Sequence, residues 1–225
     1  MNARVERHPS IPYVVPFLGF IAFLAVRPIF PFGPAVEYPL RVLVVGSLVL
    51  LVSRPVLDLK PSQGLGSVLV GLGIFALWIA PDLLFPDYRS HWLFSNGVTG
   101  KPESSIPPEL RSDLQFLVFR LLGTAVIVPI VEELFWRGFL LRWLTRGDFR
   151  AVRLGDWAPS AFWITALLFA SEHGPWWDVG LLAGIGFNLW LRRTRSLADC
   201  ILAHAVANAA LAAYVIGRGR WEYWL

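Results

Sequence analysis

Apolar residues fall into seven runs along the chain, at 12–26, 39–52, 64–85, 114–134, 159–170, 176–191 and 197–216. A hydrocarbon core about 30 Å thick takes about 20 helical residues to cross. The runs therefore predict an all-α, polytopic membrane helix bundle with about seven transmembrane helices, within a range of six to eight. The second and fifth runs are short, and need flanking residues or a shifted depth to span. Pro12 and Pro16 lie in the first run, where proline is tolerated near a helix start and kinks the helix further in. No small-residue cleavage site follows this run, so it reads as a retained helix and not as a signal peptide. The longest polar connection, 86–113, is rich in Pro, Gly and Ser and reads as a surface loop, with a helix starting near Pro107 or Pro108. No unit of the chain repeats.

Composition points the same way. Of the 225 residues, 56% are hydrophobic and 16% charged, against about 45–50% and about 25% in a soluble domain. The net charge of +4 does not describe a nucleic-acid-binding face, because the arginines punctuate apolar runs as membrane-flanking charges do. A single cysteine, Cys200, excludes an intramolecular disulfide. With seven spans, and with Arg120 and Arg137 left inside the fourth, eleven basic residues fall on the side of the N-terminus and seven on the other. The eleven include Arg4, Arg7 and those of the 142–153 loop, and the positive-inside rule places that side in the cytoplasm.

Ionisable groups within membrane helices are costly and are functional candidates by default. Three clusters qualify: Glu132-Glu133 with Arg137, then Phe169 and Glu172-His173, then His204 and Asn208. Each has a plainer reading, respectively an interfacial ion pair, a solvent-facing helix cap and hydrogen bonding between helices. Glu172 and Asp199 read as interfacial residues and Asp82 as structural. Together the clusters fit a chemistry. Glu133 and Arg137, at i and i+4 with the acid first, are placed to pair. Glu132 points about 100° away around the helix and lacks that partner. An unpaired carboxylate in a low-dielectric site is a stronger base than one in water, which suits activation of a water molecule. A histidine alongside could orient that water. His204 and Asn208, on one helical face, could donate hydrogen bonds to the oxyanion of a tetrahedral intermediate. The reaction class is amide hydrolysis.

The order E-E-x-x-x-R, F-x-x-x-H, H-x-x-x-N resembles the CPBP family of CAAX-type intramembrane prenyl endopeptidases and bacteriocin-processing or immunity proteins, also called the ABI family. The resemblance runs from about residue 111 to 216, and Glu132, Glu133, Arg137, Phe169, His173, His204 and Asn208 fill every motif position. It implies that Glu132 activates water, His173 assists, and His204 with Asn208 forms the oxyanion hole, with no cofactor and no metal. It also implies a catalytic core over 111–225 behind variable helices over 1–110. The implied partners are the lipid bilayer and a membrane-associated peptide or protein substrate, prenylated if the family name applies, in a bacterial cytoplasmic membrane. The same residues also suggest zinc, since a glutamate with two histidines is a known ligand set, but no H-E-x-x-H is present and Asn208 is a poor ligand. A proton-coupled transporter would use intramembrane Glu and His, but no inverted repeat of broken helices is visible. A non-catalytic scaffold or immunity protein is the remaining class. Two expectations concern geometry. With seven spans, Glu132 and His173 end helices running in opposite directions, so they meet only if the fifth helix stops at mid-depth or the fourth is tilted. The site should open towards the 142–153 loop, into which the fourth helix continues.

Overall fold

The structure, a computed structural model, describes residues 8–224; Arg4 and Arg7 of the charge count lie outside them. Among the described residues seven helical segments occupy the seven apolar runs. They are α1 (Ile11–Val26), α2 (Pro34–Val56), α3 (Gly64–Leu84), α4 (Leu114–Thr145), α5 (Pro159–Ser171), α6 (Trp177–Thr194) and α7 (Leu197–Arg218). No strand forms among these residues, so the all-α expectation holds. Four of the segments, α2, α3, α4 and α7, are long and apolar enough to cross a membrane, while α1 and α5 are shorter apolar helices.

Lengths depart from the apolar runs for physical reasons. Pro34 at the first helical position pre-sets the backbone and starts α2 ahead of its run, giving 23 residues. The fourth run breaks at charged residues, yet α4 continues through them to 32 residues, because Glu132, Glu133, Arg137 and Arg142 are all buried against protein. At about 1.5 Å per residue α4 is close to 48 Å long, whereas the 13 residues of α5 rise only about 20 Å.

α7 packs against α3, α4 and α6, and α4 against α1, α2, α5 and α7. At Gly71 α3 and α7 approach so closely that a Cβ there would clash with the Ala203 carbonyl oxygen. The opposite face of α3 exposes Leu65, Leu69, Leu72 and Leu77, a surface suited to hydrocarbon and not to water. Gly219, at φ +67°, turns the chain back after α7, so that Tyr223 and Trp224 are buried.

Asp199, read from the sequence as interfacial, is tied into the packed protein. It is fully buried and accepts hydrogen bonds from Ser62 N (2.9 Å), Gln63 N (2.8 Å), Ser62 Oγ (2.7 Å) and Ser67 Oγ (2.9 Å). It thereby satisfies backbone donors at the start of α3 from the first turn of α7. Asp82 is structural as expected, accepting from Arg89 Nε (3.1 Å) and the Tyr223 hydroxyl (2.7 Å). Burial and the adjacent Asp82 push the Tyr223 hydroxyl well above its ordinary range, so it stays a donor. Asp199→Ala should leave several buried donors unpaired, at about 1–3 kcal/mol each. The melting temperature of detergent-solubilised protein should fall by several degrees; an unchanged value would show that water replaces the carboxylate.

Candidate active site

Pro129 shapes the middle of α4. It has no N–H to donate, and the helix upstream widens into a π-helical segment over Gly123–Ile127 in which Val128 N–H bonds to the Gly123 carbonyl. The Thr124 carbonyl therefore loses its α-helical donor, Val128, and its π-helical donor would be Pro129. Asn208 Nδ2 takes the place of both, donating to the Thr124 oxygen at 2.8 Å. A second π-helical segment, Leu134–Leu140, follows Glu133 directly. Such segments are frequent at functional sites.

Glu133 is fully buried and accepts two hydrogen bonds at Oε1, from Arg137 Nη1 (3.2 Å) and from His204 Nδ1 (2.9 Å). Arg137, also fully buried, spreads its guanidinium further, with Nε to Asn188 Oδ1 (3.1 Å) and Nη2 to the Gly184 carbonyl (3.2 Å). Its Cζ lies 4.5 Å from the centre of the Phe169 ring. Asn188 Nδ2 in turn donates to the Phe162 carbonyl (3.2 Å). Helices α4, α5, α6 and α7 are thus tied to one carboxylate–guanidinium pair. Glu132 makes none of these contacts: its Oε2 is buried without a hydrogen-bond partner.

Glu132, His173, His204 and Asn208 line one cavity of about 170 Å³. Arg120, Thr124, Val128 and Glu132 line it from α4 at four-residue spacing, and His204, Ala207, Asn208 and Leu211 from α7. His173 Nδ1 sits 2.7 Å from the Phe169 carbonyl. Because a carbonyl only accepts, Nδ1 carries the proton and Nε2 keeps the lone pair. The ring is wedged between Trp78 (5.2 Å) and Phe169 (4.7 Å), and a Cβ on Gly180 would lie 3.0 Å from it.

All six site candidates are therefore brought together, Glu132, His173, His204 and Asn208 around the cavity and Glu133 with Arg137 directly behind it. The meeting of Glu132 and His173 has the cause foreseen for it: α5 is short. In addition, Glu132 sits near the middle of α4 and not at its end. Glu172 is exposed beyond α5. The side on which the site lies is a correction. The cavity runs along α4 from Arg120 to Glu132, past the end of α5 and the middle of α7, towards Tyr223 and Trp224. It occupies the half of the bundle opposite the 142–153 loop, because α4 continues for three further turns past Glu133 before reaching that loop. Three contributors had no role in the sequence reading. Asn188, wholly buried in mid-α6, carried the same signal as the others, a polar residue inside an apolar run. Ile74 and Trp78 of α3 line the cavity, and as apolar residues in an apolar helix they carried none. Among the described residues, no group of three or more His, Cys, Asp or Glu side chains is placed to hold a metal ion.

Residues 114–210, a little under half of the chain, match the family described as type II CAAX prenyl endopeptidase Rce1-like. This segment carries all the motif residues, and the match bears out the family resemblance drawn from them. No curated protein and no solved structure matches the chain.

Removing Arg137 would leave Glu133 charged in a buried site and take the donor from Asn188 Oδ1. Breaking a buried pair in this way costs about 3–5 kcal/mol. Arg137→Ala should therefore lower the melting temperature sharply, and Arg137→Lys should recover only part of it, because an ammonium cannot make the same planar fork. A melting temperature equal to wild type for Arg137→Ala would mean that water reaches the pair.

Proposed function

We propose that this chain, Rce1-like over residues 114–210, is a CAAX-protease-like intramembrane endopeptidase in which Glu132 activates the attacking water. The observation that carries the reading is the division between two adjacent glutamates. Glu133 is held at one oxygen by Arg137 and His204, while Glu132 lines the cavity and bonds to neither; both carboxylates keep their second oxygen, Oε2, without a partner. A carboxylate that neutralises a neighbour is a poor base, and one without a cation is a good one. His173 presents a bare Nε2 to the same cavity and can share the water's proton.

Geometry sharpens the oxyanion assignment. With its Nδ1 proton donated to Glu133, His204 can donate from Nε2 only as the doubly protonated imidazolium. Asn208 commits one of its two N–H bonds to Thr124, and the second is available to an oxyanion. Losing one such donor slows reactions by about 100- to 1000-fold. The N-terminal helices, proposed to be a support for the catalytic core over 111–225, contribute part of the cavity wall through α3.

The proposed setting is a bacterial cytoplasmic membrane with the cavity facing away from the cytoplasm. Arg54, Lys60, Arg146, Arg150, Arg153, Arg192, Arg193 and Arg195 are exposed at the end of the bundle remote from the cavity. At the cavity end only Lys101 and Arg218 are exposed, with Arg27, Arg111 and Arg220 half-buried. Arg41 and Arg142, which the sequence counts as flanking charges, are buried within helices. The positive-inside rule then assigns the remote end to the cytoplasm. The substrate is a membrane-associated peptide that enters from the other leaflet.

Two experiments test this. Purified protein in proteoliposomes, given a library of lipid-anchored peptides and read by mass spectrometry, should release fragments. Glu132→Gln should release none, and Asn208→Ala should be slower by about 100- to 1000-fold. Turnover by Glu132→Gln within a few-fold of wild type would overturn the water-activation role. Stoichiometric zinc that is lost in His204→Ala would favour the metal reading. For orientation, Lys101→Cys and Arg150→Cys in a Cys200→Ala background are treated with a membrane-impermeant maleimide on intact cells. Lys101→Cys should label directly and Arg150→Cys only after permeabilisation; the reverse would turn the cavity to the cytoplasm.

A further inference from the structure

The cavity that holds Glu132 is small. At about 170 Å³ it falls below the roughly 300–1,000 Å³ of ordinary ligand sites, and a peptide substrate needs more. Part of its wall is the segment that follows α7. After the turn at Gly219, Trp221–Tyr223 form one turn of 3₁₀ helix, and Tyr223 and Trp224 become walls of the cavity. They are buried in a cluster with Tyr38, Phe116 and Trp176, and their polar contacts are with loops and side chains of other elements. The Trp224 carbonyl accepts from Ser105 N (3.2 Å) and Ser104 Oγ (3.3 Å), and the Tyr223 hydroxyl donates to Asp82. The Trp224 ring lies 5.2 Å from the Arg120 guanidinium, and the Tyr223 ring 5.3 Å from that of Trp176.

These are the contacts an extended peptide would use: a main-chain donor on a loop, and flat slots for aromatic side chains. We infer that residues 221–224 stand in for substrate, and that their displacement opens a subsite for an extended peptide carrying an aromatic residue in the place of Trp224. The inference rests on the endopeptidase reading of the cavity. It also sets a distance. Arg120, beside Trp224, and Glu132 are twelve residues apart on one face of α4, about 18 Å along the helix. An extended chain covers that in about five or six residues. The aromatic residue therefore sits about five residues from the bond that is cut.

Binding of a peptide in trans tests this without reference to cleavage. The probe is a fluorescent tetrapeptide with the chain's own sequence at 221–224, Trp-Glu-Tyr-Trp, added to full-length protein in nanodiscs. The double variant Tyr223→Ala with Trp224→Ala should bind it at least tenfold more tightly than wild type. In a Cys200→Ala background, Thr124→Cys should react with a small maleimide at least severalfold faster once that double variant is added. Tyr223→Phe, which keeps the packing and loses only the bond to Asp82, should give a smaller increase in the same rate. Equal peptide binding by both proteins, or thiol rates unchanged in both variants, would show that the segment is a fixed wall and overturn the inference. Since neither readout requires turnover, that failure would leave the hydrolytic reading standing, whereas an inactive wild type would leave the peptide subsite standing.

Discussion

Everything around the cavity depends on how one buried charge pair is satisfied. A carboxylate and a guanidinium inside a helix bundle are each expensive, and are retained only when geometry and hydrogen bonds repay the desolvation. Arg137 meets that condition in three directions, to Glu133 on its own helix and to Asn188 and Gly184 on α6. Glu133 takes its second bond from His204 on α7. Phe169 of α5 covers the guanidinium face. Four helices are thereby fixed relative to one another at the depth where Glu132 stands. The arrangement pairs Arg137 with Glu133 and forms no ion pair with Glu132. Rigidity on one side of α4 and the proposed reactivity of the carboxylate beside it would have the same origin.

The depth of the site follows from unequal helix lengths. A bundle of uniform spans would place the end of α5 and the middle of α4 at different levels. Here α5 has 13 residues and α4 has 32, so His173 turns into the bundle where Glu132 already is. The π-helical segments and Pro129 add a second adjustment, freeing the Thr124 carbonyl that Asn208 then occupies. Asn208 is therefore an anchor between α4 and α7 that also lines the cavity. That dual use explains why a polar side chain is worth keeping at this level of an apolar helix.

Much of this was legible in the sequence. The seven apolar runs mark the seven helices, because burying or lipid-exposing a whole helix leaves little amphipathic pattern to misread. The pairing of Glu133 with Arg137 follows from their spacing alone, since i and i+4 share a helical face. Helix lengths were not legible. The charges after Val131 look like the end of a membrane run, and only tertiary burial reveals that α4 continues through them. The same blindness misplaced the site relative to the 142–153 loop and hid the part Asp199 plays in closing the start of α3. Trp78 and Ile74 could not have been singled out, because nothing in an apolar helix distinguishes residues facing a cavity from those facing lipid.

The central claim is that two adjacent glutamates of like chemistry do opposite work, one structural and one reactive. It is tested most directly by thermal melts of the isosteric variants Glu132→Gln and Glu133→Gln side by side in the same detergent. Glu133→Gln strips a buried arginine of its countercharge and should melt well below wild type. Glu132→Gln removes a charge that nothing balances and should melt at or above wild type. Equal destabilisation by the two substitutions, or a loss confined to Glu132→Gln, would contradict the account.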